Sequence, residues 1–457
     1  MPKKTWRKLL SSVGAASLAL CATAAAAFPS IFPTGTTIYD PAKAWNGYVL
    51  FADPNGRTHL IDMAGNDVHV WNVAGFPSEI LDPALTHGEK GHLLVQTEDG
   101  PGPFGGIFNN RSIGELNWQG DIVWRWNGAD GKPVRQNHDW ARLPSGNTLI
   151  IATRDRNIPS LSKLSVADQV IQEIGPDGKV VWEWQVADHL QEFGFTEEGM
   201  KALRAELADG DKSPGFLTIN DMAPIGPNKW FDAGDQRFNP DNIVIDSRMA
   251  SFIAIIDRKS GKVVWRIGPD WNQPKLRPVF STVTPRPVDQ TSGQHDAHII
   301  PKGLPGEGDL LVFDNEAPSG FPPTHLSMFH GSRVLEINPV TKEVVWQYTA
   351  ADSDRAPWTF ASSFISSARR LPNGNTLIDE GMNGRFFQVT PKGEIVWEYV
   401  SPYFGRQDLY TRREVSTNWV FRAQPVPYEW VPDGTPHSEQ PTVRIDITRF
   451  RVPPAQP

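Results

Sequence analysis

Cysteine is almost absent from this 457-residue sequence, which contains only Cys21. Cys21 lies in an apolar N-terminal segment that we expect to be removed, so the mature chain would have no cysteine. This excludes disulfide bonds, a cysteine nucleophile and a cysteine-ligated metal. Basic residues are also too few for a nucleic-acid partner, with 44 Lys and Arg against 52 Asp and Glu and a net charge of -8. Sequence-independent binding of nucleic acid needs basic patches.

Motifs of several common enzyme classes are also missing. The chain has no phosphate-binding P-loop and no glycine-rich fingerprint joining a strand to a helix, as dinucleotide-binding domains have. It lacks the G-x-S-x-G motif of serine hydrolases. We therefore expect no nucleotide donor, no nicotinamide cofactor and no other cofactor.

The N-terminus has the three parts of an export signal. Four basic residues come first, namely Lys3, Lys4, Arg7 and Lys8. An apolar segment from Leu9 to about Ala27 follows and ends in three alanines. This predicts a signal peptide over residues 1–27, cleaved from a periplasmic or secreted protein. A retained anchor is the alternative, but alanine and serine weaken the span, so no stable membrane anchor is expected. A lipoprotein signal at Cys21 fits poorly because Leu20 precedes it.

A hairpin pattern that contains tryptophan recurs six times. Its copies lie around Trp71, Trp124, Trp182, Trp265, Trp346 and Trp397. In each copy a polar turn joins two strands of alternating apolar residues, and we expect the tryptophans in the core. A second strand precedes each copy, as in LPNGNTLIDEG from Leu371, and a short leading strand precedes that. Six units of about four strands predict an all-β, six-bladed β-propeller over residues 35–430. An open sandwich would expose strand edges that a closed ring removes.

The first unit lacks a leading strand, and the C-terminal part of the chain contains a replacement. Segment Asn418–Pro427, NWVFRAQPVP, resembles the leading strands of other units. We predict that it completes the first blade and closes the ring. Longer spacings mark inserts near residues 187–215 and 270–292, which we expect to form a lid on one face. Residues 431–457 would be a C-terminal extension, and a homodimer is left open.

Polar residues stand where the leading strands begin. His138, Asn220 and His295 hold such positions, and Arg248 ends a strand near one of them. The leading strand of a blade lines the central channel, so these side chains should converge at its mouth. Histidines beside an arginine suit a small tetrahedral anion, and a neutral imidazole can act as nucleophile or base.

These residues also have interpretations other than catalysis. An aspartate after histidine, as in His138-Asp139 and His295-Asp296, can stabilise a turn and have no catalytic part. His298 lies on the same strand face as Asp296 and would support the site from behind. Zinc or copper binding by His138, His295 and His298 is a further alternative, but no H-x-x-x-H spacing supports it and no metal is predicted.

Longer motifs resemble a known family. Segments FNPDNIVIDSR, GQHDAHIIP and SARRLPNGNTLIDEGMNGRFFQVTPKGEIVWEYVSP are similar to those of the arylsulfotransferase (arylsulfate sulfotransferase) family. The resemblance covers roughly residues 35–430. It implies an exported six-bladed propeller that moves a sulfuryl group from a phenolic sulfate ester to a phenol without a nucleotide donor. A small-molecule phenolic sulfate and a phenol would be its partners.

The resemblance also implies roles for particular residues. The nucleophilic histidine, which becomes sulfated, falls on His295. A second active-site histidine falls on His138, and the sulfate-binding arginine falls on Arg248. Where the family has a further histidine this chain has Thr218, although the following Asn220 is kept. Loss of one preorganised donor typically costs about 2.7–4 kcal/mol in the barrier.

These implications lead to one set of candidates and several rivals. The catalytic candidates are His295, His138 and Arg248, and the substrate-binding candidates are Thr218, Asn220, Asp296 and His298. The main alternative is a degenerate propeller acting as a binding or scaffold protein, which Thr218 would permit. A hydrolase with water as acceptor stays open. A quinone-dependent dehydrogenase would need eight blades and calcium.

Overall fold

A computed structural model describes residues 30–98, 112–128, 135–209, 215–268, 291–321, 331–408 and 414–442 of the chain. These residues are mostly strand. The strands are, in chain order, β1 Gly35–Tyr39, β2 Tyr48–Ala52, β3 Thr58–Ile61, β4 Asp67–Trp71, β5 Ser78–Ile80, β6 Leu93–Glu98, β7 Ser112–Leu116, β8 Ile122–Trp126, β9 Arg135–Arg142, β10 Thr148–Arg156, β11 Val166–Ile174, β12 Val180–Gln185, β13 Ile219–Pro224, β14 Ile243–Ser247, β15 Phe252–Ile256, β16 Val263–Ile267, β17 His295–Ile299, β18 Leu310–Asp314, β19 Arg333–Ile337, β20 Val344–Tyr348, β21 Ser367–Arg370, β22 Thr376–Glu380, β23 Arg385–Val389, β24 Ile395–Val400, β25 Gly405–Asp408, β26 Glu414–Thr417 and β27 Ala423–Val426.

Six antiparallel sheets of consecutive strands form the blades of a β-propeller. Blade 2 is β5–β8, blade 3 is β9–β12, blade 4 is β13–β16, blade 5 is β17–β20 and blade 6 is β21–β24. Blade 1 combines β2–β4 with β27. Middle strands such as β14 and β15 are buried along their whole length because both faces pack on neighbouring blades. The outer strand β12 instead alternates between exposed and partly buried residues. The predicted six-bladed fold is confirmed.

The ring is closed by both ends of the described chain. Strand β27 pairs antiparallel with β2, with Tyr48 opposite Val426 and Phe51 opposite Ala423. The predicted return of the C-terminal segment into blade 1 is thereby confirmed. Strand β1, which the sequence analysis did not foresee, pairs with β24 as a fifth strand on the outer edge of blade 6. The N-terminal strand thus belongs to the last blade and the C-terminal strand to the first.

Tryptophans join each blade to the next. The indole N–H of each donates to a carbonyl in the outer hairpin turn of the following blade, as in Trp184 to Gly261 at 2.7 Å and Trp397 to Met63 at 2.7 Å. The others follow the same pattern, from Trp71, Trp126, Trp265 and Trp346. In blades 2 and 3 the donors are Trp126 and Trp184, two residues after the repeat tryptophans Trp124 and Trp182. The outer strand of every blade thus carries a tryptophan that contacts the next blade.

The expectation that all six repeat tryptophans lie in the core is wrong for three of them. Trp71, Trp265 and Trp397 are buried. Trp124, Trp182 and Trp346 are only half-buried. An arginine covers the face of each of these rings, from Arg142, Arg258 and Arg370 respectively. Cation–π contact replaces part of the burial at these positions.

The first predicted insert contains the helix α1, Glu197–Glu206. Thr196 caps it by accepting a hydrogen bond from the Gly199 N–H at 3.1 Å. Its buried residue Leu203 packs into the core between blades 3 and 4. A second, one-turn helix, α2 at Lys229–Asp232, begins after Asn228, which caps it.

Other predicted segments fall wholly or largely outside the described residues. Most of the second insert, near 270–292, and the whole signal peptide lie there, as does the C-terminal extension beyond residue 442. Within the described part, the extension reaches back to β1, where Thr442 bridges to Tyr39. No helix in the part of the chain that the structure describes is long and apolar enough to cross a membrane.

Candidate active site

The innermost strand of each blade begins at the same mouth of the central channel. Near this end lie His138 on β9, Asn220 on β13 and His295 on β17. Arg248 directly follows β14 in blade 4. The structure therefore collects residues from three blades whose positions along the chain span more than 150 residues.

His295 is held in one orientation by Asn315. The His295 Nδ1 atom lies 2.7 Å from Asn315 Oδ1 and 3.1 Å from the Gly293 carbonyl. The Asn315 Nδ2 group donates to the carbonyls of Ser362 and Ile365, at 2.6 and 2.8 Å, so its Oδ1 must face the histidine. Two acceptors at Nδ1 require a proton there. The lone pair of His295 is consequently on Nε2, where a nucleophile needs it.

Both histidines are kept neutral by their surroundings. Burial and the neighbouring Arg248 lower the pKa of His295 well below its usual range, outweighing the opposite effect of Asn315. Burial also lowers the pKa of His138 to about 4. An uncharged imidazole keeps its lone pair available at neutral pH. Phe421 contacts both histidines and Phe364 contacts both His295 and Arg248, so the three polar side chains lie close together.

Arg248 is held in place by two hydrogen bonds to backbone carbonyls and keeps one guanidinium N–H unused. Its backbone N–H donates to the Thr218 carbonyl at 2.9 Å, and its Nη2 donates to the Ser363 carbonyl at 3.2 Å. The guanidinium carbon lies 5.8 Å from the centre of the Phe364 ring. Within the described chain the buried Nε has no hydrogen-bond partner. Arg248 as a whole is half-buried, and an arginine with an unused N–H is prepared for an anionic oxygen.

Aromatic rings surround these polar groups. The ring of Phe421 lies 5.2 Å from His138 and 6.3 Å from His295, and it stacks on Phe76 at 4.3 Å. Phe364 lies 6.1 Å from His295 and packs near Trp419. None of these rings was among the predicted site residues. Their only sequence signal was the aromatic content of the segments before β5, β21 and β27.

Thr218 is committed to the local backbone. Its hydroxyl donates to the Gly215 carbonyl at 2.9 Å, and its φ of 47° is in the left-handed region, where β-branched residues are rare. The hydroxyl proton is therefore used within the loop, and the carbonyl of Thr218 holds Arg248. Asn220 is tied to the strand of His295, because its Nδ2 donates to the carbonyl of the preceding residue, Gln294, at 3.2 Å. Its buried Oδ1 has no partner among the described residues.

Asp296 belongs to a layer of charged residues, Arg422 with Asp139, Asp221 and Asp296, which lies beneath His138 and His295 in the channel. Arg422 donates to Asp139 at 2.9 Å and to Asp221 at 2.6 Å, and its Nε lies 3.0 Å from Asp296. Asp139 and Asp296 also accept backbone N–H groups from the inner strand of the next blade. Although burial opposes its charge, the carboxylates raise the pKa of Arg422 well above its usual value. In the His-Asp pairs, the aspartate thus fastens blades together while the histidine faces the mouth.

His298 lies on the other side of this layer. Its Nδ1 donates to the Asp296 carbonyl at 2.8 Å, and its ring lines a cavity toward the opposite face. The structure therefore brings together His295, His138 and Arg248, with Thr218 and Asn220 nearby. It does not bring Asp296 or His298 to the same mouth. The interpretation of His138, His295 and His298 as metal ligands gains no support, because the described residues contain no group of three His, Cys, Asp or Glu side chains placed to hold a metal ion.

Comparison with known proteins identifies the family. The family model described as Arylsulfotransferase (ASST) matches residues 43–413. The chain belongs to this family. Membership supports aryl sulfotransferase activity with phenolic substrates and a small-molecule donor, and it confirms the resemblance seen in the motifs. No curated protein sequence gives a significant match to the chain.

Solved structures similar to this ASST-family chain share little sequence with it. A protein of unknown function from Bacteroides caccae is 11% identical over 84% of this chain and 99% of its own, with a TM-score of 0.43. Virginiamycin B lyase from Staphylococcus aureus is 11% identical over 81% and 85%, with a TM-score of 0.37. Quinohemoprotein alcohol dehydrogenase from Comamonas testosteroni is 11% identical over 90% and 77%, with a TM-score of 0.34. These scores are too low to carry an argument about function.

Proposed function

We propose that the protein transfers a sulfuryl group from a phenolic sulfate ester to a phenol through a sulfated His295, without a nucleotide donor. The observation that supports this most is the Asn315–His295 hydrogen bond, which leaves the Nε2 lone pair of a neutral, buried imidazole free for attack. In the first step Nε2 attacks sulfur, the S–N bond forms, and the S–O bond to the aryl group breaks. The aryl oxygen leaves as a phenolate.

Arg248 and His138 assist this step. The guanidinium of Arg248 donates to the sulfuryl oxygens, whose charge must be stabilised in a site with little water. His138, neutral at working pH, donates a hydrogen bond to the leaving oxygen. In the second step the oxygen of the acceptor phenol attacks sulfur and the S–N bond breaks. The acceptor gives up its proton, and the released phenolate takes one up.

The aromatic rings fit an aryl substrate. Phe421 lies between the two histidines, and Phe364 lies between His295 and Arg248. A phenyl ring packed against them would hold the ester oxygen near the polar centre, with offset or edge-on contacts of the usual kind. We therefore place the aryl part of donor and acceptor in this aromatic cluster.

The test is transfer from 4-nitrophenyl sulfate to phenol by wild type and His295→Ala. We expect nitrophenol release by the wild type and at least a thousandfold loss in the variant, with its thermal unfolding unchanged. Mass spectrometry of wild type incubated with the ester alone should show one added sulfuryl group mapped to His295. Unchanged release by the variant would refute the nucleophile, and product analysis would separate transfer from hydrolysis.

A degenerate, binding-only propeller is the second candidate. It is favoured by Thr218, whose hydroxyl proton is committed to Gly215 where the family has a histidine donor. On this alternative, wild type binds aryl sulfates but releases no nitrophenol. Detection of sulfated His295 would exclude it.

We also propose that the protein acts outside the cytoplasm. The proposal rests on the basic and apolar N-terminal segment over residues 1–27. Cell fractionation of the full chain and of a chain lacking residues 1–27 is the test. Export of both forms, or of neither, would contradict it.

A further inference from the structure

A second cavity lies in the channel on the far side of the Arg422 layer. It has a volume of about 390 Å³ and is lined by residues from all six blades. His298 in blade 5, Asp221 in blade 4 and Glu79 in blade 2 contribute polar groups. The lining also includes four arginines, Arg142, Arg369, Arg370 and Arg422. Its rim residue Pro301 is exposed, so the cavity opens on the face opposite the candidate active site. Nothing in the sulfuryl-transfer mechanism uses it.

The polar groups of this cavity have hydrogen-bonding capacity that the protein leaves unused. The Nδ1–H of His298 donates to the Asp296 carbonyl, so its Nε2 can only accept while the ring is neutral. Burial lowers the pKa of His298 well below its usual range, which keeps it neutral. Asp221 is 2% exposed, and its Oδ2 has no hydrogen-bond partner in the described part of the chain. Burial also raises the pKa of Glu79 to about 7.

The walls around these groups are apolar and partly aromatic. They include Trp140, Met222, Pro224, Leu304 and Trp430. Flat rings pack well against indole faces and methionine sulfur. A cavity of this size and composition is the usual setting for a small organic molecule oriented by a few polar contacts.

The charges at the cavity argue for a neutral ligand. All four arginines that line the cavity are already paired with carboxylates. Arg422 is paired with Asp139, Asp221 and Asp296, Arg369 with Asp296, Arg142 with Glu115, and Arg370 with Glu336. No excess positive charge is left for an anion. A sulfate ester has no proton to give to His298 Nε2 and would bring negative charge toward Asp221 and Glu79. A phenol has both an O–H to donate and an oxygen to accept.

We propose that this cavity is a second binding site, selective for a neutral phenol over its sulfate ester. The phenol O–H donates to His298 Nε2, its oxygen lies within reach of the carboxyl groups of Asp221 and Glu79, and its ring lies against the tryptophan-containing wall. The proposal rests on the proposed function in one respect only: sulfuryl transfer would supply the phenol, either as the acceptor or as the product. Binding itself is independent of sulfuryl transfer.

A crystal soaked with 4-bromophenol tests the location directly. We expect a bromine anomalous peak in the cavity bordered by His298 and Trp140, whether or not a second peak appears near His295. The Phe364→Leu variant, altered only at the active-site mouth, should keep the cavity peak. Ordered waters alone in the cavity, or a peak only near His295, would overturn the proposal.

Solution measurements with 4-fluorophenol complete the test. In ¹⁹F NMR titrations, Ala223→Leu, which fills part of the cavity, and His298→Leu should each weaken binding at one site at least tenfold. 4-Fluorophenyl sulfate should not compete at that site. Equal binding by wild type and both folded variants, or binding only at crystal concentrations, would refute the second site. Loss of transfer activity in His295→Ala with this binding intact would show that the two proposals stand separately.

Discussion

At the scale of single residues, the site depends on a side chain that takes no part in the chemistry. Asn315 accepts the Nδ1–H of His295 and is itself oriented by two backbone carbonyls from the start of blade 6. Its amide orientation follows from these contacts. The orientation in turn decides which nitrogen of His295 faces the substrate. Asn315 is thus a positioning residue for the proposed nucleophile.

Replacing Asn315 should change both the rate and its pH dependence. Asn315→Leu should lower kcat/KM for aryl sulfate transfer about 10- to 100-fold, the usual effect of losing an orienting partner. Asn315→Asp should stabilise the imidazolium and raise the pKa of His295, so the acid limb of the pH–rate profile moves to higher pH. The exposed Asn55→Asp is the matched control. If both Asn315 variants are slow but the acid limb of the pH–rate profile does not move, Asn315 only supports the fold.

At the scale of elements, the inner strands β9 and β17 each combine two tasks in adjacent residues. In β9 and β17 the histidine faces the mouth, while the next residue, Asp139 or Asp296, fastens the following blade. Arg422, just before β27, joins three such carboxylates from blades 3, 4 and 5. The strand that closes the ring therefore also carries the cation at its centre.

Arg422→Met should destabilise the protein strongly at neutral pH and less so in acid. Leaving buried carboxylates without their cation typically costs about 3–5 kcal/mol. Burial already raises the pKa of Asp221 above its usual value and Arg422 opposes this, so loss of the arginine should raise the pKa further. A carboxyl with a raised pKa in the folded state takes up a proton as pH falls, which stabilises the native variant. Denaturant unfolding at pH 7 and pH 5 should show part of the loss regained at pH 5. Arg237→Met, which breaks an exposed pair with Asp235, should cost under about 1 kcal/mol at both pH values. An equal loss at pH 7 and pH 5 in Arg422→Met would contradict this account.

At the scale of the whole molecule, stability depends on closure by residues far apart in the chain. Strand β27 supplies the inner edge of blade 1, and Gln424 within it bonds to both the N–H and the carbonyl of Ile80 in blade 2. On the outer side, β1 adds to blade 6. An open ring would leave the inner strand of blade 1 missing and an edge facing the channel.

A chain truncated after Thr417 should lose much of its stability. A synthetic peptide of the missing segment should restore that stability. Without β27 and Arg422 we expect the Tm to fall by at least about 10 °C. A peptide of residues 418–442 should restore the Tm by pairing with β2, and a scrambled peptide should not. Differential scanning calorimetry is the measurement. An unaltered Tm after truncation would show that closure contributes little.

Much of this architecture follows from local patterns in the chain. Alternating apolar residues and repeated turns, each with a tryptophan, predict six four-stranded blades, because strand period and turn chemistry are local properties. The similarity of NWVFRAQPVP to other leading strands was enough to predict how the ring closes. The positions of His138 and His295 relative to these strands likewise placed them at one mouth.

The remainder depends on contacts between blades. Asn315, Phe421 and Phe364 reach the site from other elements, and no periodicity along the chain reveals which side chains meet across a channel. His298 shares a strand with His295, yet a local distortion at Asp296, with a φ of 61°, and the layer around Arg422 separate the two histidines. Local pattern therefore determines the blades, whereas packing around the channel decides which of their polar residues share a site.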